Sequence, residues 1–402
     1  MSKLFYLKQS VTTHACGIFL GLFFLSGRWD FGRIYAIQDP YYEMLLRPSY
    51  WMAVLFVFFS MLINLNKPNS PYINQRSIST RNLTVILIFL FFVYMGFSSL
   101  WAPNPQLALV KLSEIMVVFI VLIGLSFFLF NSNRHALLDS FWPTILVVTS
   151  ILLMLSDFSS YANRLTSLGG GPNVLGRNAG LAAISCLILA SRYYRPMLFI
   201  SLCPLFGILC LATGSRGAMI ALATAIAYLL IVKKISIFAK IAIISSSISI
   251  SLLILHTSVG TYVSEVFYHR FLDMLFLQKY YSERPLLFQI AFEIGMSNFF
   301  IGTGLNGFAA MGISSYPHNL FLEVFSEGGI IGIVLLSVAL FSFLYFCKCN
   351  MSIIHHESIA AWILLMVSSQ FSGDLFDSRG VFIVLILILF VPINRFKSHF
   401  NK

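Results

Sequence analysis

The sequence alternates between long apolar runs and short polar segments. Most runs approach the ~20 residues that a helix needs to cross the hydrocarbon of a bilayer. A helix is required because unpaired backbone groups cannot face lipid. The pattern therefore predicts an all-α polytopic membrane protein with about 12 transmembrane helices. They are expected near residues 11–27, 50–65, 83–100, 112–130, 141–156, 178–191, 197–213, 217–232, 235–255, 320–346, 358–371 and 380–393.

Composition agrees with this class and excludes a water-soluble globule. Of the 402 residues, 58% are apolar and 10% are charged, whereas soluble domains carry about 25% charged residues. The net charge of +11 comes from Lys and Arg spread over many loops, so it does not indicate nucleic-acid binding. The N-terminal side, the even-numbered turns and the C-terminal tail together hold 15 of the 26 basic residues and only two of the 15 acidic ones. By the positive-inside rule, both termini are predicted to be cytoplasmic.

The chain is interpreted as a single integral membrane domain, 1–402, because no repeat or soluble domain is visible. One long extramembrane loop, 256–316, is predicted on the outer side. It contains an apolar stretch broken by glycines, at 285–308, where we expect short helices at the membrane interface. The six cysteines lie in apolar runs or at an inner helix end, so they indicate neither a disulfide framework nor a metal site.

Polar residues concentrate in five segments that this topology places on one face of the membrane. They are residues 163–178, 213–218, 281–288, 315–332 and 372–380. A purely structural membrane protein has little reason to gather them there. Their convergence predicts a functional site on the outer face.

The segment SYPHNLFLEVFSEGGIIG, residues 315–332, carries the main candidate. Pro317 suits the first turn of a helix with Ser314 or Ser315 as its cap. His318 would then lie among outward-pointing backbone N–H groups, where an anion can bind. The positive helix end also disfavours imidazolium, so the side chain stays able to accept a proton.

Further polar residues follow on one face of this predicted helix, at four-residue spacing: Asn319, Glu323 and Glu327. Gly328, Gly329 and Gly332 permit close approach of a neighbouring segment. The alternative interpretation is a capped interfacial helix with a glycine packing seam.

Two arginines in other outer segments are candidate anion ligands. Arg216 lies between Gly214 and Gly217, which leave the backbone open around its guanidinium. Arg284 precedes Pro285 at a predicted helix start. The alternatives are an interfacial arginine that reaches into water and a solvated loop charge.

Weaker signals come from the remaining segments. Arg164 and Arg177 flank a run of three glycines, which can expose backbone N–H groups to an anion. Asp374 and Asp377 lie close to Arg379 in sequence, and these three residues can simply pair with one another.

The histidine segment resembles a known family motif. His318 and Asn319 are followed by nine residues and then by Gly329-x-x-Gly332. This spacing is similar to the motif of the O-antigen ligase family, which shares a superfamily with O-antigen and exopolysaccharide polymerases. Arg216, in SRGA, and Arg284, in ERPLLFQIAFEIG, resemble the two arginines of that family. Order and sidedness match over most of the chain, but the motifs do not separate ligase from polymerase.

The resemblance implies a glycosyltransferase of the C type in a bacterial inner membrane, with its active site facing the periplasm. The implied donor is a glycan on undecaprenyl diphosphate, and the acceptor is lipid A–core in a ligase or a growing repeat-unit chain in a polymerase. No cofactor and no metal are implied. The implied diphosphate ligands are Arg216 and Arg284, and His318 is the implied base. Asn319, Glu323 and Glu327 would shape the acceptor side, and Arg164, Arg177 and Arg379 would be further anion contacts.

The residues fit this chemistry, because fixed cations stabilise the charge that develops on a diphosphate leaving group. A different class, a transporter or flippase for a lipid-linked glycan, stays open. Transporters usually place polar groups at the bilayer midplane in broken helices. Here the predicted spans are nearly free of charge at their centres, which favours an enzyme.

Overall fold

A computed structural model of the protein describes residues 2–26, 29, 47–64, 75–131, 134–159, 164–168, 170–192, 196–233, 264–265, 268 and 284–390. Within these ranges the chain is mainly helical, and its helices are numbered here in chain order. They are α1 Ser2–Leu25, α2 Pro48–Asn64, α3 Gln75–Phe97, α4 Pro105–Asn131, α5 Arg134–Met154, α6 Pro172–Arg192, α7 Pro196–Ala212, α8 Arg216–Val232, α9 Arg284–Ser297, α10 Gly307–Ala310, α11 Leu320–Cys349, α12 His356–Ser368 and α13 Arg379–Phe390.

The apolar runs predicted the helices well. Eleven of the twelve predicted spans coincide with apolar helices, and the run at 235–255 lies outside the described residues. By length and composition, five helices suffice to cross a membrane: Ser79–Trp101, Pro105–Phe130, His135–Met154, Pro172–Arg192 and Leu320–Cys349. The prediction of a multi-pass helical protein is therefore supported, while the count of twelve spans stays a prediction.

Two short elements were not predicted. A 3₁₀ turn, Ser98–Trp101, continues α3. Two antiparallel strands, β1 Asp157–Ser159 and β2 Arg164–Thr166, form a small hairpin before α6, with Asp157 opposite Thr166. The hairpin matters for the site because β2 presents Arg164.

The helices pack around α13. Every residue of α13 is buried, as expected for a helix that is apolar on all sides. Helix α1 packs on α2 and α5, α11 on α3 and α9, and α12 on α6 and α8. Gly17 lets α1 approach α5 closely, because a Cβ there would lie 2.4 Å from the carbonyl oxygen of Leu137.

Polar segments that are far apart in sequence meet at one end of the helices. The backbone N–H of Leu305 donates to Ser98 O at 3.2 Å, and that of Leu320 donates to Ser369 O at 3.1 Å. We call this end, formed by residues 98–104, 164–168, 213–216, 298–320 and 369–378, the site end. The predicted clustering of these segments is thus seen in the structure, whereas the side of the membrane on which they lie stays a prediction.

Helix α11 is interrupted where a continuous span was expected. Gly329 has φ 61° and ψ −160°, which is not helical, so residues 320–328 and 330–349 form two segments. The backbone groups freed by this break are taken up by the loop before α10. Thr303 N donates to Ser326 O at 2.9 Å, and Ile330 N donates to Phe299 O at 2.7 Å. The predicted glycine seam is therefore a true close approach, but it accompanies a kink.

Candidate functional site

Arg216 is the first residue of α8. Ser215 caps this helix, its side-chain oxygen accepting from the backbone N–H of Ala218 at 3.4 Å. The preceding Gly214 has φ 62°, which lets the chain turn sharply into the helix. Arg216 is partly exposed. It therefore adds its own charge to the positive N-terminal end of a helix.

Arg164 holds the turn in front of Arg216. Its Nε donates to Thr213 O and its Nη2 donates to Gly214 O, both at 3.1 Å. Arg164 thus binds protein carbonyls in this structure, and its predicted anion contact stays a prediction. The observed geometry suits a residue that positions the start of α8.

Arg284 is the first residue of α9 and is also partly exposed. Burial and the nearby charge of Arg216 lower the pKa of Arg284, and Tyr316 acts in the opposite direction. Two guanidinium groups therefore lie close enough to repel each other. Among the described residues, neither guanidinium forms a hydrogen bond or an ion pair.

His318 is linked to Arg284 through Tyr316. Its ring meets the Tyr316 ring edge-on, with the centroids 4.6 Å apart. His318 has φ 62°, which belongs to the left-handed region and not to a right-handed helix. Since Tyr316 acts on Arg284 and touches His318, it connects the imidazole to the two arginines.

The expected cap of this helix was wrong. Helix α11 begins at Leu320, and Asn319 is its N-cap, with Oδ1 accepting from Leu322 N at 3.0 Å. Neither Ser314 nor Ser315 caps it, and Pro317 lies before it. The left-handed backbone of His318 prevents an earlier helix start. Asn319 is thus engaged in the cap, and the imidazole lies just outside the helix end.

The turn at 369–371 joins the start of α11 to the start of α8. Asn319 Nδ2 donates to the carbonyl oxygen of Gln370 at 3.4 Å. On the other side of the turn, a Cβ at Gly217 would lie 2.6 Å from the Cβ of Phe371. Arg216 and His318 are therefore adjacent to the same short turn. No motif or spacing in the sequence indicated this link.

Glu323 and Glu327 share a helical face with Asn319, as predicted, but that face points inward. The two residues are 1% and 2% exposed. Lys111 Nζ lies 3.0 Å from Glu323 Oε1 and also pairs with Asp374. The expectation that both glutamates shape the acceptor side is therefore not supported, because the protein itself surrounds them.

The two remaining predicted anion contacts also bind carbonyls. Arg177, in α6, donates to Asp377 O at 3.3 Å. Arg379 is 1% exposed and donates to Phe23 O at 3.1 Å and to Phe24 O at 2.8 Å, at the end of α1. Both guanidinium groups thus link helices and turns. Their predicted role as anion contacts stays a prediction that this geometry does not favour.

Sequence reasoning missed Lys111. It is a single lysine near the start of an apolar run, and Glu114 follows one turn later. Ionisable residues at such positions usually pair inside the bundle, so this pattern was an available signal. The described residues contain no group of three or more His, Cys, Asp or Glu side chains suited to a metal ion.

Comparison with known proteins agrees with the motif. The family model described as O-antigen ligase matches residues 197–337, which include Arg216, Arg284 and His318. A comparison with curated proteins found no match. Members of the matched family are glycosyltransferase-like enzymes, and the family implies glycan and lipid-linked substrates in general. The match, together with the apolar helices around it, supports the membership of this chain in the O-antigen ligase family.

Proposed function

We propose that this protein transfers a glycan from an undecaprenyl-diphosphate-linked donor to lipid A–core, as an O-antigen ligase at the periplasmic face of the inner membrane. One observation carries the proposal. Arg216 and Arg284 each begin a helix, lie close together, and form no ion pair among the described residues. Two such cations call for an anion with more than one charge, and a diphosphate has that character.

The arginines would act on the leaving group. In the transfer, an acceptor hydroxyl oxygen attacks the anomeric carbon and the bond from that carbon to the diphosphate oxygen breaks. Negative charge then grows on the departing lipid diphosphate. Guanidinium groups contact two phosphate oxygens at once, and the N-termini of α8 and α9 add partial positive charge. Because these positive groups are already in place, they stabilise the transition state without rearranging.

His318 would take the proton that the acceptor hydroxyl loses. Its imidazole contacts Tyr316, whose ring lies near Arg284. A neutral imidazole can accept the proton as the new glycosidic bond forms. The edge-on contact with Tyr316 restricts the ring's orientation. With two fixed cations on the diphosphate, the reaction is proposed to need no divalent metal and no cofactor.

Ligase is our first proposal and repeat-unit polymerase the second, because the family match supports the superfamily of both and does not distinguish them. The test is a deletion strain that normally carries a long surface polysaccharide. A ligase defect leaves lipid A–core without any polymer while lipid-linked polymer accumulates. Core that carries a single repeat unit would instead identify a repeat-unit polymerase. If the deletion strain no longer moves the lipid-linked donor across the membrane, the result would favour a flippase.

A reconstituted reaction would test the chemistry directly. Purified protein in detergent or vesicles is mixed with lipid-linked glycan and lipid A–core, and the product is followed by its change in mobility. Transfer should proceed equally with added magnesium and with a chelator. A requirement for metal would contradict the assigned role of the two arginines.

A further inference from the structure

Lys111 is buried and takes no part in the proposed chemistry. It lies in the second turn of α4 and is 4% exposed. Its ammonium group pairs with two carboxylates, those of Glu323 and Asp374. An ammonium group has three donors, so one side chain can bind both carboxylates at once.

The two carboxylates belong to segments that are distant in sequence. Glu323 lies in the first turn of α11. Asp374 shapes the turn before α13, because its Oδ1 accepts from Asp377 N and its carbonyl oxygen accepts from Ser378 N, both at 2.9 Å. Lys111 therefore joins the start of α11 to this turn through ion pairs inside the protein.

The same two segments carry the candidate site. The start of α11 holds His318, and residue Phe371 of the turn lies against Gly217, next to Arg216. Leu320 N donates to Ser369 O at 3.1 Å, so the two segments also touch directly. A shift of either segment would change the distance between the imidazole and the Arg216 guanidinium.

We propose that Lys111 is a positioning residue, which acts through Glu323 and Asp374 to hold His318 in register with Arg216. This role rests on the proposed glycan transfer. In some proteins, buried ion pairs of this kind select one arrangement among several. Breaking this pair leaves carboxylates buried without their cation, and the segments will move to find water or a proton.

The first test is Lys111→Met. Methionine has an unbranched side chain of similar length but no charge. We expect the turnover number to fall about tenfold or more while the donor KM changes less than about threefold, because the diphosphate ligands are untouched and only the reacting geometry is lost. Lys111→Arg keeps a cation that reaches both carboxylates and should recover at least half of the lost activity on a logarithmic scale.

Glu114→Gln is the matched control. Glu114 lies one turn further along α4 and forms a part-buried ion pair with Arg47, next to α2. Its charge acts on Lys111, but its substitution removes a carboxylate from the same helix without removing the Lys111 ion pairs. It should lower thermal stability while leaving turnover within about twofold of the unsubstituted protein. Equal losses of turnover in Glu114→Gln and Lys111→Met would show a general stability effect and overturn the proposal.

A combined variant protects the test against misfolding. Lys111→Met with Glu323→Gln and Asp374→Asn removes the cation together with both carboxylates that pair with it. It should fold and bind donor, yet still turn over about tenfold more slowly. Normal turnover in this variant would refute the positioning role.

Hydrogen exchange measured by mass spectrometry separates this proposal from the proposed function. Peptides that cover 314–324 and 369–378 should exchange faster in Lys111→Met than in the unsubstituted protein, and remain unchanged in Glu114→Gln. If the unsubstituted protein transfers no glycan, the function fails while the exchange result still judges the positioning role. If transfer is normal and exchange in these peptides is unchanged in Lys111→Met, the positioning role fails alone.

Discussion

Replacing Arg216 and Arg284 by lysine tests the reasoning on which the site depends. Lysine keeps the positive charge but cannot make two parallel hydrogen bonds to phosphate oxygens. In each variant about one charge-assisted hydrogen bond is lost, worth about 1.5–3 kcal/mol. If that hydrogen bond reaches full strength only in the transition state, where the leaving group becomes negative, the rate should fall about tenfold to about 150-fold. The double variant should lose about a hundredfold to about 10⁴-fold if the two contacts act independently.

Loss of an arginine that holds the structure together would lower the melting temperature, whereas loss of Arg216 or Arg284 should not. Arg216 and Arg284 repel each other, and no described residue neutralises either of them. Replacing one of them by glutamine should therefore leave the melting temperature unchanged or raise it. Pyrophosphate added at 100 times its dissociation constant should stabilise the unsubstituted protein by about 2.7 kcal/mol. The double glutamine variant should lose this stabilisation.

The assay compares purified proteins at matched amounts, using lipid-linked donor, lipid A–core acceptor and a thermal shift with pyrophosphate. Arg192→Lys is the control, since Arg192 pairs with Asp139 at 2.5 Å, far from the site in the fold, and should keep its activity. Near-normal transfer in both lysine variants would refute the diphosphate role. Loss of folding in the glutamine variants would show instead that the two arginines hold the structure together.

Three further predictions address other parts of the protein. His318→Ala should slow transfer by about 10²–10⁴-fold with donor binding retained, and unsubstituted activity should fall at acid pH as the imidazole protonates; transfer above about a tenth of normal would exclude the base role. Gly329→Ala should lower the melting temperature, because its φ is 61° and a Cβ would lie 2.5 Å from Gly302 N, whereas Gly207→Ala meets nothing within 4 Å and should be neutral or stabilising. A reporter active only in the periplasm should be active when fused near Asn306, and activity of a cytoplasmic reporter there would overturn the predicted topology.

The helices could be predicted from the sequence because apolar length alone specifies them. Eleven predicted runs coincide with helices even though their ends differ by several residues. The break at Gly329 could not be predicted in the same way. A glycine tolerates both helical and left-handed backbone, and here the loop that carries Phe299 and Thr303 supplies the hydrogen bonds that make the break stable. That loop lies shortly before α11 in the sequence, but no pattern in it shows that it folds back against the middle of this helix.

The candidate site was predicted in part. Spacing correctly placed Glu323 and Glu327 on one face, but spacing cannot say whether a face meets solvent or another helix. Lys111 decides this, and it lies more than 200 residues earlier in the chain. Likewise, the cap was misassigned because Ser and Asn are both good N-caps, and the choice depends on the positive φ of His318.

The structure also explains why arginines in similar sequence contexts differ in what they bind. Arg216, Arg284 and Arg379 are each the first residue of a helix, so position alone predicts the same anion site for all three. Arg379, however, lies beside the C-terminal end of α1, whose last carbonyls lack partners within that helix, and its guanidinium donates to Phe23 and Phe24. No described carbonyl accepts a hydrogen bond from Arg216 or Arg284. An arginine at a helix start is therefore available to a diphosphate only where no other helix ends against it, a condition that Arg216 and Arg284 meet and Arg379 does not.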